Sequence, residues 1–143
     1  MSTRIFNSAL EVEAAFYDAL ARSDLELMMS VWSEDDEVVC VPPDGGRLVG
    51  YAAVRSAWQQ LFESGARLNV RVTHGVISNS MLLTVHSVFE HVAVEGDDRL
   101  APPMIATNAY ARGPHGWKMI LHHASPGPEL HAPDDSAAPR TVH

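Results

Sequence analysis

Two adjacent histidines, His122 and His123, stand near the end of the stretch GWKMILHHASP, residues 116 to 126. On a strand, neighbouring side chains point to opposite faces. The two rings therefore diverge, and a metal ion shared between them is not expected. The dense Cys/His spacing of a structural zinc site is absent as well. By parity His123 goes with Trp117, Met119 and Leu121, an apolar set that should turn inward. His122 goes with Lys118 and Ile120, a set that suits an outer face covered by a second subunit. This makes His123 the first candidate for general acid or base work, because an imidazole titrates near neutrality. The competing reading is a core histidine held by Ser125 or Tyr110.

Other residues offer related chemistry. His86 shares parity with Val88 and Glu90 in MLLTVHSVFEHVAV, residues 81 to 94. A histidine and a carboxylate on one face are the raw material of an acid–base site. An exposed polar face competes, and His91, on the other parity with Val85 and Phe89, is the alternative inward residue. Asn108 and Tyr110 lie on one face beside Ala106, where small residues leave room for a ligand; a plain sheet network is the alternative. Cys40, in VVCVP, has no flanking cation and reads as an inert buried thiol rather than a nucleophile. Phe16, Tyr17, Trp32 and Trp58, with Met28 and Phe62, suit either plain core or the apolar wall of a small-molecule cavity, with Cys40 and Tyr110 completing the ligand-binding set. The acidic run 34–37 reads as a solvated loop.

These residues need elements to position them. Ser8 and Glu11 have capping-box spacing, and Val12, Phe16, Ala19 and Leu20 then recur at helical intervals, so residues 8–22 are expected to be a helix. Asp24 caps a second short helix, LELMMSVW. An extended run stops at Pro42, and Asp44-Gly45-Gly46 turns the chain. A third helix fits 51–63, with Gly65 as its stop. From Arg67 the period falls to two. Strands follow at 68–72, 81–94, 104–112 and 117–124, joined by turn residues. Helices first and strands after predict an α+β fold, with an antiparallel meander covered by helices on one face. Residues 127–143 are rich in Pro, Asp and Ala without periodicity, and read as a disordered tail behind a domain of residues 1–126.

Three stretches carry a family resemblance: FYDALARSDLELMMSVWSEDDEVVCVPP, GRLVGYAAVRSAW and ATNAYARGPHGWKMILHHASP. Over residues 8 to 126 the chain resembles SnoaL-like proteins of the nuclear transport factor 2-like superfamily, which also contains ketosteroid isomerase. The resemblance implies a cone-shaped, cystatin-like α+β roll: a curved antiparallel sheet wraps a pocket and three helices close it. It also implies a homodimer formed through the sheet. It does not assign a reaction, because this fold hosts isomerases, dehydratases, cyclases and non-catalytic modules. Aligned on ketosteroid isomerase, the oxyanion tyrosine falls at Phe16 with Tyr17 one residue away, the base falls at Cys40 or Val41, and the sheet acid falls at Asn108. The isomerase set is therefore not retained, although Asn108 can still donate a hydrogen bond.

Bulk properties narrow the class. The 143 residues suit one domain. A net charge of −8 argues against nucleic acid as a partner. No run reaches a membrane-spanning length, the N-terminus lacks a secretory pattern, and the single cysteine allows no intramolecular disulfide. A cytoplasmic protein is expected, with no membrane association. No glycine-rich phosphate loop indicates a nucleotide, and no cofactor is expected. The sequence thus predicts a homodimer binding a small, mostly apolar molecule, with cofactor-free proton transfer by His123 or His86 and hydrogen-bond donation by Asn108, Tyr110 or Tyr17. The competing class is a non-catalytic ligand-binding or assembly module.

Overall fold

A computed structural model describes residues 4–97 and 101–127. Three helices precede the long strands: α1 (Ala9–Arg22), α2 (Leu25–Val31) and α3 (Tyr51–Glu63), with short strands β1 (Val39–Val41) and β2 (Leu48–Val49) between α2 and α3. Four long strands follow: β3 (Leu68–Asn79), β4 (Leu83–Val94), β5 (Met104–Gly113) and β6 (Gly116–Pro126). The six form one sheet in the order β2-β1-β6-β5-β4-β3. The long strands are an antiparallel meander, as their short turns require, but β1 runs parallel to β6. The sheet is therefore mixed: the expected antiparallel meander holds for the long strands, and β1 joins it in parallel. Short connections dictate antiparallel pairing only between sequential strands, and β1 pairs with the last strand of the chain.

The helix starts follow the expected chemistry. Ser8 Oγ accepts from the Glu11 amide at 3.1 Å, and the Glu11 carboxylate accepts from the Asn7 amide. Asp24 caps α2 by accepting from the Leu27 amide. The apolar stripe of α1, with Val12, Phe16, Ala19 and Leu20, is buried against the sheet together with Val31, Trp32, Val38, Val54 and Met119. By contrast, Val54 is the one fully buried residue of α3.

Two irregularities set which side chains point inward. The β3–β4 register shifts between Thr73 and Val76. The β5–β6 register shifts at Ala109/Tyr110: Ala109 pairs with Leu121, but Tyr110 pairs with Met119, so Ile120 is the extra residue. Such a bulge reverses strand parity. Met119 is buried before it, His122 and Ala124 are buried after it, and His123 is exposed. At the β5–β6 turn, Gly116 has φ +86° and lies against Phe6, whose carbonyl accepts from the Trp117 amide. A Cβ on Gly116 would meet that carbonyl oxygen at 2.7 Å. The expected tail, beyond Gly127, lies outside the described residues.

Candidate functional site

Four buried polar side chains from four elements meet inside the fold. The Tyr17 hydroxyl on α1 donates to Glu90 Oε2 on β4 at 2.7 Å. Its oxygen accepts from Asn108 Nδ2 on β5 at 2.9 Å. Asn108 Oδ1 then faces His122 Nδ1 on β6 at 2.6 Å. The string has one consistent direction. Asn108 spends its amide nitrogen on Tyr17, so its carbonyl must accept, and His122 must carry its hydrogen on Nδ1. Nε2 of His122 is left as a lone-pair acceptor outside the string.

Burial controls the acidity of this group. It lowers the His122 pKa to about 4, with nearby His123 adding to the effect. The imidazole is therefore neutral at physiological pH. Burial raises the Glu90 carboxyl above the ordinary carboxylate range, and the Tyr17 hydrogen bond offsets part of that rise. The Tyr17 hydroxyl is raised by burial first and by the Glu90 charge second. A weakened acid and a weakened base thus lie at the two ends of one hydrogen-bonded line. Aromatic rings surround the basic end: Phe16 stands 4.9 Å from the His122 ring and Trp58 6.4 Å. The Trp58 indole nitrogen is buried with no hydrogen-bond partner.

A second pair sits one helical turn earlier. Glu13 Oε2 meets His86 Nδ1 at 2.8 Å, and the Tyr110 ring packs 4.9 Å from the His86 ring. Burial, then the charge of Glu13, raises the Tyr110 hydroxyl, which is buried close to Asn108 and Glu13. Glu13 and Tyr17, four residues apart on α1, share a face. They reach His86 and Glu90, which sit on one face of β4.

Several expectations need correction on placement. His123 points outward and His122 inward, the reverse of the parity expected across residues 117 to 123, because the Ile120 bulge intervenes. His86 and Glu90 are both inward, but each pairs with α1 rather than with the other. His91 lies on the opposite parity and meets Thr73. Tyr17, the neighbour of Phe16, is the residue that reaches Asn108. Phe16 packs edge-on against Tyr17 and Trp58 instead. Trp32 is fully buried, bridged to Met119, with its indole nitrogen unpaired. Cys40 is buried beside His122 across the β1–β6 pairing, and burial pushes its thiol up to about 12. Asn108 and Tyr110 are both fully buried. Sequence reasoning missed Glu13; its spacing from Tyr17 was the available signal. Among the described residues, no three His, Cys, Asp or Glu side chains gather as a metal cradle.

Comparison with known proteins agrees with this architecture. A SnoaL-like domain profile matches residues 10–128. A protein from Thiobacillus denitrificans, provisionally named a calcium/calmodulin-dependent protein kinase type II association domain, is similar at 35% identity. That match covers 87% of this chain and 99% of the other, with a TM-score of 0.77. A provisionally named dehydratase of the NTF2-like family from Streptomyces avermitilis is 26% identical over 83% of this chain and 93% of its own, at a TM-score of 0.74. A cystatin-like-fold protein of unknown function from Nostoc punctiforme shares the fold at 17% identity and a TM-score of 0.69, over 87% and 96% of the two chains. No functionally curated protein matches the chain in sequence.

Proposed function

The chain belongs to the SnoaL-like domain family, and from that premise we propose that it is a cofactor-independent proton-transfer enzyme. Its substrate would be a small, largely apolar molecule bearing a carbonyl or hydroxyl group. The observation that carries this reading is the buried line Glu90–Tyr17–Asn108–His122, with a carboxyl raised at one end and an imidazole lowered at the other. Paired titratable groups displaced by their surroundings are the usual mark of acid–base chemistry.

In this reading His122 Nε2 removes a proton from the carbon beside the carbonyl, and that C–H bond breaks. The negative charge that develops on the carbonyl oxygen is met by the second hydrogen of the Asn108 amide, which Tyr17, itself held by Glu90, keeps in place. The proton returns from the imidazolium to a neighbouring carbon, or it leaves with a hydroxyl as water. Phe16, Trp58 and Phe62 supply the apolar wall. Because α3 fully buries only Val54, it is the wall most easily displaced to admit a ligand. The outer sheet face, with exposed Ile105 and His123, would be covered by a second copy of the chain.

The test uses 3-cyclohexenone, which conjugates when one proton moves. Conversion to 2-cyclohexenone, followed by ultraviolet absorbance, should exceed buffer and fall at least 100-fold in His122→Gln and Glu90→Gln. Equal rates in all three proteins would refute the assignment. A second reading, an assembly module without catalysis, draws on the similarity to the Thiobacillus protein. It predicts a defined oligomer by light scattering and no turnover.

A further inference from the structure

A cavity lies at the start of α1, apart from the Tyr17–Glu90 line. It encloses about 340 Å³ and is lined by residues of the α1 entry, the β3–β4 hairpin and Trp117. Thr84 and His86 are its buried polar lining, and Leu10 and Ile77 form an exposed apolar rim. This volume is at the small end of ordinary small-molecule sites.

We propose that this cavity is a ligand site for a small neutral alcohol, with His86 as its recognition residue. His86 is 1% exposed, and its Nδ1 is tied to Glu13 at 2.8 Å. With Nδ1–H donated to the carboxylate, the ring orientation is set, and in the neutral ring Nε2 is an acceptor. Among the described residues, the hydrogen bond that His86 makes is through Nδ1, and Nε2 is left for the cavity. A buried imidazole that is oriented by a carboxylate and still has an open acceptor position is built to receive a donor. A ligand hydroxyl is the matching group. Ser8 supplies the complement: its oxygen accepts from the Glu11 amide, and its own hydrogen is available to donate to the ligand oxygen. Thr84 is already committed to Asn79.

Charge decides between an alcohol and an acid. Among the described residues, His86 is the only titratable residue lining the cavity, and its lining includes no Lys or Arg. Glu13 stands behind His86, and the chain carries a net charge of −8. A carboxylate ligand would meet this field with no compensating cation, so a neutral molecule is favoured. Leu10, Ile77 and Trp117 would cover its hydrocarbon part.

The test is a titration of protein labelled with 15N-histidine against cyclohexanol, with cyclohexanecarboxylate as the charged counterpart. Long-range 1H–15N spectra report the His86 ring. Cyclohexanol should shift the His86 Nε2 resonance saturably and leave the His122 ring unmoved. Ile77→Lys, at the exposed rim, should weaken that binding at least 10-fold while the protein stays folded. Glu13→Gln should also weaken it, by loosening the ring. No saturable shift at His86, a stronger response to the carboxylate, or unchanged binding in Ile77→Lys would each overturn the proposal. A shift at His122 alone would place the alcohol in the other site and overturn it as well.

Discussion

Acidification offers a direct measure of the buried His122. An unfolded histidine titrates near 6.5, whereas His122 in the fold is lowered to about 4. Between those values the unfolded chain binds more protons than the native one, so stability falls as the pH drops through that window. The linkage relation gives a loss of about 2 kcal/mol from this residue on going from pH 7 to pH 4.5. His122 is buried, so solvent screening takes little from that figure. Glu90, raised by burial, acts in the opposite sense: above the unfolded carboxylate value its contribution declines as pH rises through its folded pKa. His122 is isolated by comparison with His122→Gln, whose amide can still donate to Asn108. Urea unfolding of both proteins at pH 7 and 4.5 gives four stabilities. The wild type should lose about 2 kcal/mol more than the variant, because titrations common to both largely cancel. Equal losses would mean that His122 is not held neutral, and the base assignment would fail with it.

Three further outcomes test separate parts of the structure. Tyr17→Phe strands Asn108 Nδ2 and Glu90 Oε2 together, which should cost about 2–4 kcal/mol by chemical denaturation; a loss below about 0.5 kcal/mol would deny the string its structural weight. Gly116→Ala puts a Cβ 2.7 Å from the Phe6 carbonyl oxygen at φ +86°, so thermal unfolding should shift down by the equivalent of about 2 kcal/mol or more. The Cys40 thiol, pushed up to about 12, should resist iodoacetamide at pH 8 in the native protein and react promptly in urea; fast native labelling would contradict its burial.

The fold was legible because its signals are local. Ser8 and Asp24 cap helices through atoms three residues away, and alternation marks the long strands. The parallel β1–β6 pair was hidden because no short connection joins those strands. The site was legible only in part, for a related reason. Its inward positions on β6 depend on one extra residue, Ile120, and a β-branched residue inside an apolar strand carries no visible mark of a bulge. A shift of one position exchanged the roles of His122 and His123. The α1 contribution failed differently: the expected His86–Glu90 pair assumed that the strand would satisfy its own polar groups. Glu13 and Tyr17 repeat at one helical turn, while His86 and Glu90 repeat at alternate inward strand positions. Two periods that differ in rise can still match at two points when a helix crosses a strand. The two buried titratable groups on β4, His86 and Glu90, then find partners of complementary type on α1, which is what burial in a low dielectric demands. A titratable residue on the inner stripe of a covering helix is therefore informative when read together with the inward positions of the strand beneath. Neither Glu13 nor His86 signals a site alone, but their pairing engages one imidazole nitrogen, and in the proposed site the other is what the cavity at the start of α1 has to offer a ligand.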